Sequence, residues 1–122
     1  MSFAPLFTTL SASNAVKTLI GSSPVRCYPH GEAPQGVTKP YVTYQQESGS
    51  PENYLGTLPD ADTSVTQVDV YADTVSSARA VYSAIRGAVE PVAYVTSVRE
   101  LGRDAETDNY RISFDVDWIT LR

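Results

Sequence analysis

The chain has 122 residues, a length typical of one domain. Two independent domains of half this length would each be only marginally stable, because each would bury little apolar surface. Apolar residues make up 42% and charged residues only 19%, which excludes intrinsic disorder and leaves a surface with little charge repulsion, suited to self-association. Nine basic and fourteen acidic side chains give a net charge of -5, so sequence-independent binding to nucleic-acid phosphates is not expected.

No secretion signal is expected. The one cysteine cannot form an internal disulfide, and the first twenty residues lack both a basic opening and an unbroken apolar run. No stretch approaches the roughly 20 consecutive apolar residues that span a bilayer. We therefore expect a soluble protein made in the cytosol, with no membrane partner.

The first 47 residues predict a helix and two strands, separated by segments rich in turn residues. Residues 4–20 predict a helix, with apolar positions at helical spacing and Gly21 where helices often stop. A short strand is predicted from Val25 to Tyr28. The proline- and glycine-rich segment 29–40 predicts a loop, and Tyr41 to Glu47 alternates as a strand does.

A long loop is predicted from Gly49 to Thr63, because it holds two glycines, two prolines and several acids. Tyr54, Leu55 and Leu58 are apolar residues that a solvated loop does not need. Two interpretations remain open: a hairpin arm that docks on a partner, and a loop packed on its own domain.

The second half carries the clearest helix. Ser64 to Tyr71 predicts a strand, and Asp73 is placed to cap the helix that follows. Apolar residues at steps of three and four from Val75 to Val89 predict a helix facing a sheet, and Pro91 stops it.

Two final strands are predicted, Val92 to Leu101 and Tyr110 to Leu121, joined by a polar turn from Gly102 to Asn109. One face of the last strand should anchor the core with Tyr110, Ile112, Phe114, Val116 and Trp118. The pattern as a whole predicts a single α+β domain over residues 1–122, a mostly antiparallel sheet of four to five strands with two helices packed on one face.

Candidates for chemistry are weak. Cys27 and His30 lie three residues apart, but a structural zinc needs four ligands and the chain has one Cys and one His in total. Asp115 and Asp117 share one face of a strand, with Asp69 expected on a neighbouring strand, yet alternating acids on a strand are usually its solvated side.

Motifs of known enzymes are absent as well. The sequence has no nucleophile elbow, phosphate loop or paired-histidine zinc helix, and the acids Asp104, Glu106 and Asp108 fit a turn. We expect no enzyme activity, no metal and no cofactor. The eight tyrosines fit either an association surface or ordinary strand composition.

Several short motifs in order resemble the tail completion proteins, or tail terminators, of long-tailed phages and prophages. They are "APQG" (Ala33–Gly36), "PYVTYQ" (Pro40–Gln45), "QVDVYA" (Gln67–Ala72), an "AR" helix (Ala78, Arg79) and "YRISFDV" (Tyr110–Val116). Each is weak alone, and their order and spacing carry the resemblance.

The resemblance implies a structural virion protein at the head-proximal end of the tail, assembled in the host cytoplasm. It implies a ring, typically of six copies, that caps the tail tube, ends elongation and offers a docking face to a head-tail connector or stopper protein. The partners would be other copies and the tail tube protein, with DNA only passing through the channel.

Three groups of residues are predicted to serve this role. The first contacts a neighbour or the tube: Ser50, Pro51, Glu52, Asn53, Tyr54, Leu55 and Leu58. The second is the turn with Arg103, Asp104 and Glu106, and the third, Asp115 and Asp117, forms an acidic channel lining that repels DNA. Two alternatives stay open, another neck or head-tail joining protein and a small ligand-binding domain or enzyme.

Overall fold

The computed structural model describes residues 6–21, 25–51, 61–103 and 109–121. These residues form three helices and five strands. The helices are α1 (Leu6–Ser11), α2 (Asn14–Ile20) and α3 (Val75–Val89); the strands are β1 (Cys27–Pro29), β2 (Tyr41–Pro51), β3 (Ala61–Ala72), β4 (Ala93–Arg103) and β5 (Tyr110–Leu121). The predicted α+β class is confirmed, with the larger of the two expected strand numbers.

The strands form one sheet in the order β1-β2-β3-β5-β4. Only β1 and β2 are parallel, and the other neighbours are antiparallel, as predicted. The longest ladder joins β3 to β5 over their full lengths, from Ala61 opposite Leu121 to Ala72 opposite Tyr110. The register of this central pair sets the position of the other strands along the strand direction.

The helices cover one face of the sheet, where the core lies. On β5, Ile112, Phe114, Val116 and Trp118 are buried and Tyr110 is partly buried, so the predicted core face is confirmed. Their neighbours on the other strands and the helices complete the same cluster: Val42, Val68, Val70, Ala93, Leu6, Leu10, Val16, Ile20, Ala78, Val81, Ile85 and Val89.

The N-terminal segment differs from the prediction, because the helix expected over residues 4–20 is divided into α1 and α2. Ser13 begins α2, and its hydroxyl accepts a hydrogen bond from the Val16 N–H at 3.3 Å. A serine hydroxyl competes for backbone groups inside a helix and satisfies them at a helix start, which explains the division. Gly21 ends α2 as predicted, with a φ of 87° that favours glycine.

The predicted loop from Gly49 to Thr63 is too long. β2 runs on to Pro51 and β3 begins at Ala61, with Gly49 opposite Ser64, so ladder pairing overrides the turn-type residues. Residues 52–60 lie outside the described residues. The bounds of β1 also move, to Cys27–Pro29.

Around α3 the sequence prediction holds except at the start. Thr74, and not Asp73, is the N-cap, since its hydroxyl accepts from the Ser77 N–H at 3.1 Å. The helix ends at Val89, just before Pro91. β4 runs two residues further than predicted, to Arg103. Residues 104–108 of the predicted turn lie outside the described residues.

Within the described ranges, no helix has the length and apolar character needed to cross a membrane.

Phe114 provides the test of this core. Its ring is fully buried at the centre of β5 and meets Tyr82 of α3 edge to face, with the ring centroids 5.0 Å apart. Phe114→Ala should lower the free energy of unfolding by about 3–5 kcal/mol through lost burial and a cavity. Urea denaturation followed by circular dichroism measures this. The exposed Tyr94→Ala serves as control, with a change within about 0.5 kcal/mol; equal losses in both variants would contradict the assigned core.

Candidate association surfaces

The sheet face opposite the helices is polar, and we call it the helix-free face. Residues alternate across the sheet, so the positions between the core residues of β3 and β5 project here: Gln67, Asp69, Tyr71, Arg111, Ser113, Asp115 and Asp117. Polar side chains in register across strands form pairs that stabilise a sheet. One row of this face, Thr43, Asp69 and Ser113, is buried.

Two ion pairs organise this face. Arg111 Nη2 lies 3.2 Å from Asp69 Oδ1, and Arg99 Nη2 of β4 lies 3.4 Å from Asp115 Oδ1 and 3.1 Å from Ser113 Oγ. The Asp69 side chain is only 2% exposed although no described helix covers it. Its carboxylate therefore depends on Arg111 and on the Gln67 amide, which donates at 3.3 Å.

Asp115 and Asp117 lie on the same face, as their spacing predicts, but they differ in environment. Asp115 is paired with Arg99, whereas Asp117 stands opposite Val65 and Tyr94 without a basic side chain among the described residues. Asp69 lies directly opposite Ser113 on β5, and not opposite Asp115 or Asp117. The described part of this face thus carries mixed charge, with arginines beside two of its three aspartates.

A hollow of about 360 Å³ opens between the helix-free face and the segment after β1. Tyr41 and Tyr71 stack in its wall with ring centroids 4.9 Å apart, and the Arg111 guanidinium lies 5.7 Å from the Tyr71 ring centroid. The buried Thr43 hydroxyl and Asn109 side-chain oxygen also border it and find no hydrogen-bond partner in the described structure. The hollow therefore has unused hydrogen-bonding capacity.

Cys27 and His30 lie in different environments. Cys27 packs in the core, and burial raises the pKa of its thiol to about 12, so the reactive thiolate is not formed near neutral pH. His30 is exposed in the turn after β1. Across the described residues, no three His, Cys, Asp or Glu side chains are grouped to hold a metal ion.

The two predicted contact segments lie at opposite ends of the strands. Ser50 and Pro51 end β2, beside the start of β3 and, one strand further, the end of β5. Arg103 ends β4 opposite Tyr110, at the other end of the sheet. The other predicted contact residues lie outside the described residues: Glu52, Asn53, Tyr54, Leu55, Leu58, Asp104 and Glu106. For both segments as a whole, the contact role stays a prediction.

Sequence reasoning missed one surface, the outer edge of β4. Tyr94, Val98 and Leu101 of this strand and Val92 just before it are large, apolar and exposed. Their alternation with polar residues predicts a strand, but periodicity alone does not tell an edge strand from a central one. The uncharged stretch from Val92 to Val98 is the signal that points to an edge able to accept a partner.

These features define a small α+β protein with one sheet face covered by helices, a polar opposite face, and exposed apolar side chains along an outer strand. The sequence matches the family described as "Tail completion protein gp17" over residues 4–121. The chain belongs to this family and so to the structural proteins of phage tails.

The fold is similar to that of a solved chain from the "Virion of native gene transfer agent (GTA) particle", with a TM-score of 0.73 and 15% sequence identity. The alignment covers 96% of this chain and 92% of that chain. At this identity the similarity shows the fold alone. No curated protein sequence matches the chain.

The buried carboxylate of Asp69 gives a prediction for the helix-free face. Asp69→Ala should lower the free energy of unfolding by about 1.5–3 kcal/mol, because Arg111 loses its charged hydrogen-bond partner. Asp117→Ala, which removes an acid without an ion pair in the described structure, should change it by less than about 0.5 kcal/mol. Equal effects in denaturant titrations would show that the Asp69–Arg111 pair does not stabilise the fold.

The burial of Cys27 predicts the reactivity of the thiol. In native protein at pH 8, Cys27 should react with a thiol reagent at least 100-fold more slowly than in urea, because its pKa is raised and the side chain is enclosed. Tyr94→Cys provides the control, since its added thiol at an exposed position should react at once. Rapid labelling of native wild-type protein would contradict the packing of β1.

Proposed function

We propose that this chain forms a ring, of six copies as the family resemblance implies, that caps the phage tail tube, ends its elongation and presents a docking face to the head-tail connector. One structural observation supports this most directly. The strand ladder places Ser50 and Pro51, which begin the first candidate contact segment, and Arg103, which begins the second, at opposite ends of the sheet.

Ending the growth of a tail tube requires two different binding surfaces on opposite sides of the capping protein. A tube subunit presents the same surface at every step, so a cap must bind the tube through one surface and differ on the opposite one. A ring repeats each contact around its circumference, which makes individually modest contacts strong together. With strands running from rim to rim, one end of the sheet faces the tube and the other faces the connector.

The helix-free face lines the channel in this proposal, with the helices outside. Asp115 and Asp117 lie on that face, and Asp117 has no basic partner among the described side chains. Its arginines, Arg99 and Arg111, are each engaged by a carboxylate. A lining without clustered free cations does not bind phosphates tightly, so DNA passes through.

The proposed role is structural and needs no covalent step. Each contact is a packing or hydrogen-bonding contact between chains, and no cofactor or metal takes part. The protein acts in the virion, at the head-proximal end of the tail, after assembly in the host cytoplasm.

Imaging with tail tubes tests the proposal. Purified protein added to polymerising tube protein should cap one end of each tube and stop growth, so that mean tube length falls as its concentration rises. Tubes that keep their length while the protein binds the portal-side complex would instead identify a neck or head-tail joining protein.

Two sets of substitutions test the separation of the rims. In one variant, residues Glu52–Leu58 become a Gly/Ser segment of equal length; in the other, Asp104 and Glu106 become Ala. One variant should lose tube capping by at least tenfold, and the other should cap tubes normally but join heads poorly. Unfolding curves like wild type provide the control, and a joint loss of both activities in both variants would contradict the assignment of one rim to each partner.

A further inference from the structure

The hollow beside Tyr41 and Tyr71 lies near one end of the sheet. These two tyrosines stand opposite each other on β2 and β3, and Tyr71 stands opposite Arg111 on β5. Arg111 is in register with Gly102 of β4, and Arg103 follows in the next row. The hollow therefore lies at the end of the sheet where the second candidate contact segment begins, which we call the Arg103 rim.

Three polar side-chain atoms beside this hollow have no hydrogen-bond partner in the described structure: the Thr43 hydroxyl oxygen, Asn109 Oδ1 and Arg111 Nε. Thr43 is only 4% exposed and Asn109 only 7%. Buried polar groups are nearly always hydrogen-bonded, because water no longer solvates them. Exceptions to this rule are expected at functional sites, so the three atoms indicate a place for a ligand.

The walls of the hollow are already in place. On one side, the rings of Tyr41 and Tyr71 stack with their centroids 4.9 Å apart. On the other side, the His30 N–H donates to the Tyr44 carbonyl oxygen at 2.7 Å, which attaches the segment after β1 to β2. The hollow measures about 360 Å³, within the roughly 300–1,000 Å³ of ligand pockets, most of which are formed before binding.

The three unpartnered atoms differ in what they can bind. Asn109 Oδ1 only accepts hydrogen bonds and Arg111 Nε only donates them, whereas the Thr43 hydroxyl does both. The atoms are enclosed in the described structure, but the Thr43 and Asn109 groups turn on single bonds. A change of rotamer, common when proteins bind, lets an entering group meet them.

An amide is the chemical group that fits this set of atoms. A carboxylate only accepts and an ammonium only donates, so each would leave Asn109 Oδ1 or Arg111 Nε unpaired. An amide carries an N–H and a C=O and can satisfy both. The charge agrees as well, because Asp69 Oδ1 already lies 3.2 Å from Arg111 Nη2 and a neutral ligand leaves this pair intact.

We infer that the hollow binds an amide group of the virion protein that docks on the Arg103 rim, from its main chain or from an asparagine or glutamine side chain. This inference rests on the proposed function, in which each rim has one partner. The family consists of structural proteins of phage tails, so the expected occupant is another protein chain. The stacked tyrosine rings give its apolar parts a surface to pack on.

Titration with blocked single-residue peptides tests the site. The peptides are N-acetyl-alanine, N-acetyl-asparagine and N-acetyl-aspartate N-methylamides, and the readout is the ¹H–¹⁵N NMR spectrum of the full chain. The alanine and asparagine peptides should shift the signals of Thr43, Asn109 and Arg111 saturably. Equal affinity of these two peptides identifies a main-chain amide as the ligand, and tighter binding of the asparagine peptide identifies a side-chain amide.

Two results of the titration would overturn the inference. One is the lack of a saturable shift at these residues with any of the peptides. The other is tightest binding of the aspartate peptide, because this would show a site for a carboxylate.

Two threonine substitutions give a matched test in assembly. Thr43 and Thr66 are both buried strand residues whose hydroxyls lack a partner in the described structure, but Thr43 borders the hollow and Thr66 does not. Thr43→Val and Thr66→Val each remove an unpaired hydroxyl with little change of shape. Both should therefore leave the urea unfolding midpoint unchanged or raise it.

The two variants should differ in binding. Thr43→Val should lower one activity, tube capping or head joining, at least tenfold, because the ring repeats the lost contact in every copy. This should be the activity that Asp104→Ala with Glu106→Ala also removes. Thr66→Val should keep both activities. A fully active Thr43→Val, loss of the other rim's activity, or a lowered unfolding midpoint in Thr43→Val would each overturn the inference.

The inference and the proposed function fail differently. Protein that binds the alanine or asparagine peptide at the hollow but neither shortens tubes nor joins heads would support the amide site and contradict the proposed function. Protein that caps tubes and joins heads, but binds no peptide and stays fully active as Thr43→Val, would support the proposed function and overturn the amide site.

Discussion

The structure depends on the antiparallel ladder between β3 and β5. Twelve consecutive pairs hold the two strands at the centre of the sheet and send Val68, Val70, Ile112 and Phe114 to the face covered by the helices. A slip by one residue would exchange the two faces of a strand, placing its apolar side chains on the polar helix-free face, or Asp69 in the core. The ladder also holds Ser50 and Pro51 at one end of the sheet and Arg103 at the other, and the two proposed rims follow from that.

The surfaces described here each have a place in the proposed ring. The helices protect one face, and the other is polar and held by the pairs Asp69–Arg111 and Asp115–Arg99. The strand ends give two different rims. At one lateral border, the outer edge of β4 has no strand neighbour among the described strands. A strand edge of this kind is a site of uncontrolled pairing unless a partner covers it.

The sequence was a good guide where side-chain periodicity decides the structure, as in α3 and in β5 with its five core positions. It was less reliable where local chemistry competes with packing. Ser13 begins a second helix inside an apolar periodic segment, and Gly49 and Pro51 read as loop residues although ladder pairing holds them in β2. The motifs indicated the family, which the match over residues 4–121 confirms. The uncharged stretch from Val92 to Val98 was a sign of an edge strand, but the position of β4 in the sheet was not predictable, because strand order arises from contacts distant in sequence.

The most direct test of the central claim is a cryo-EM map of the protein on a tail-tube end, at a resolution that separates strands. The account predicts a closed ring on one end of the tube, with the helix-free face toward the channel, the helices outside, and Ser50 and Arg103 at opposite rims. A tube end without a ring, or a ring whose helices line the channel, would contradict it.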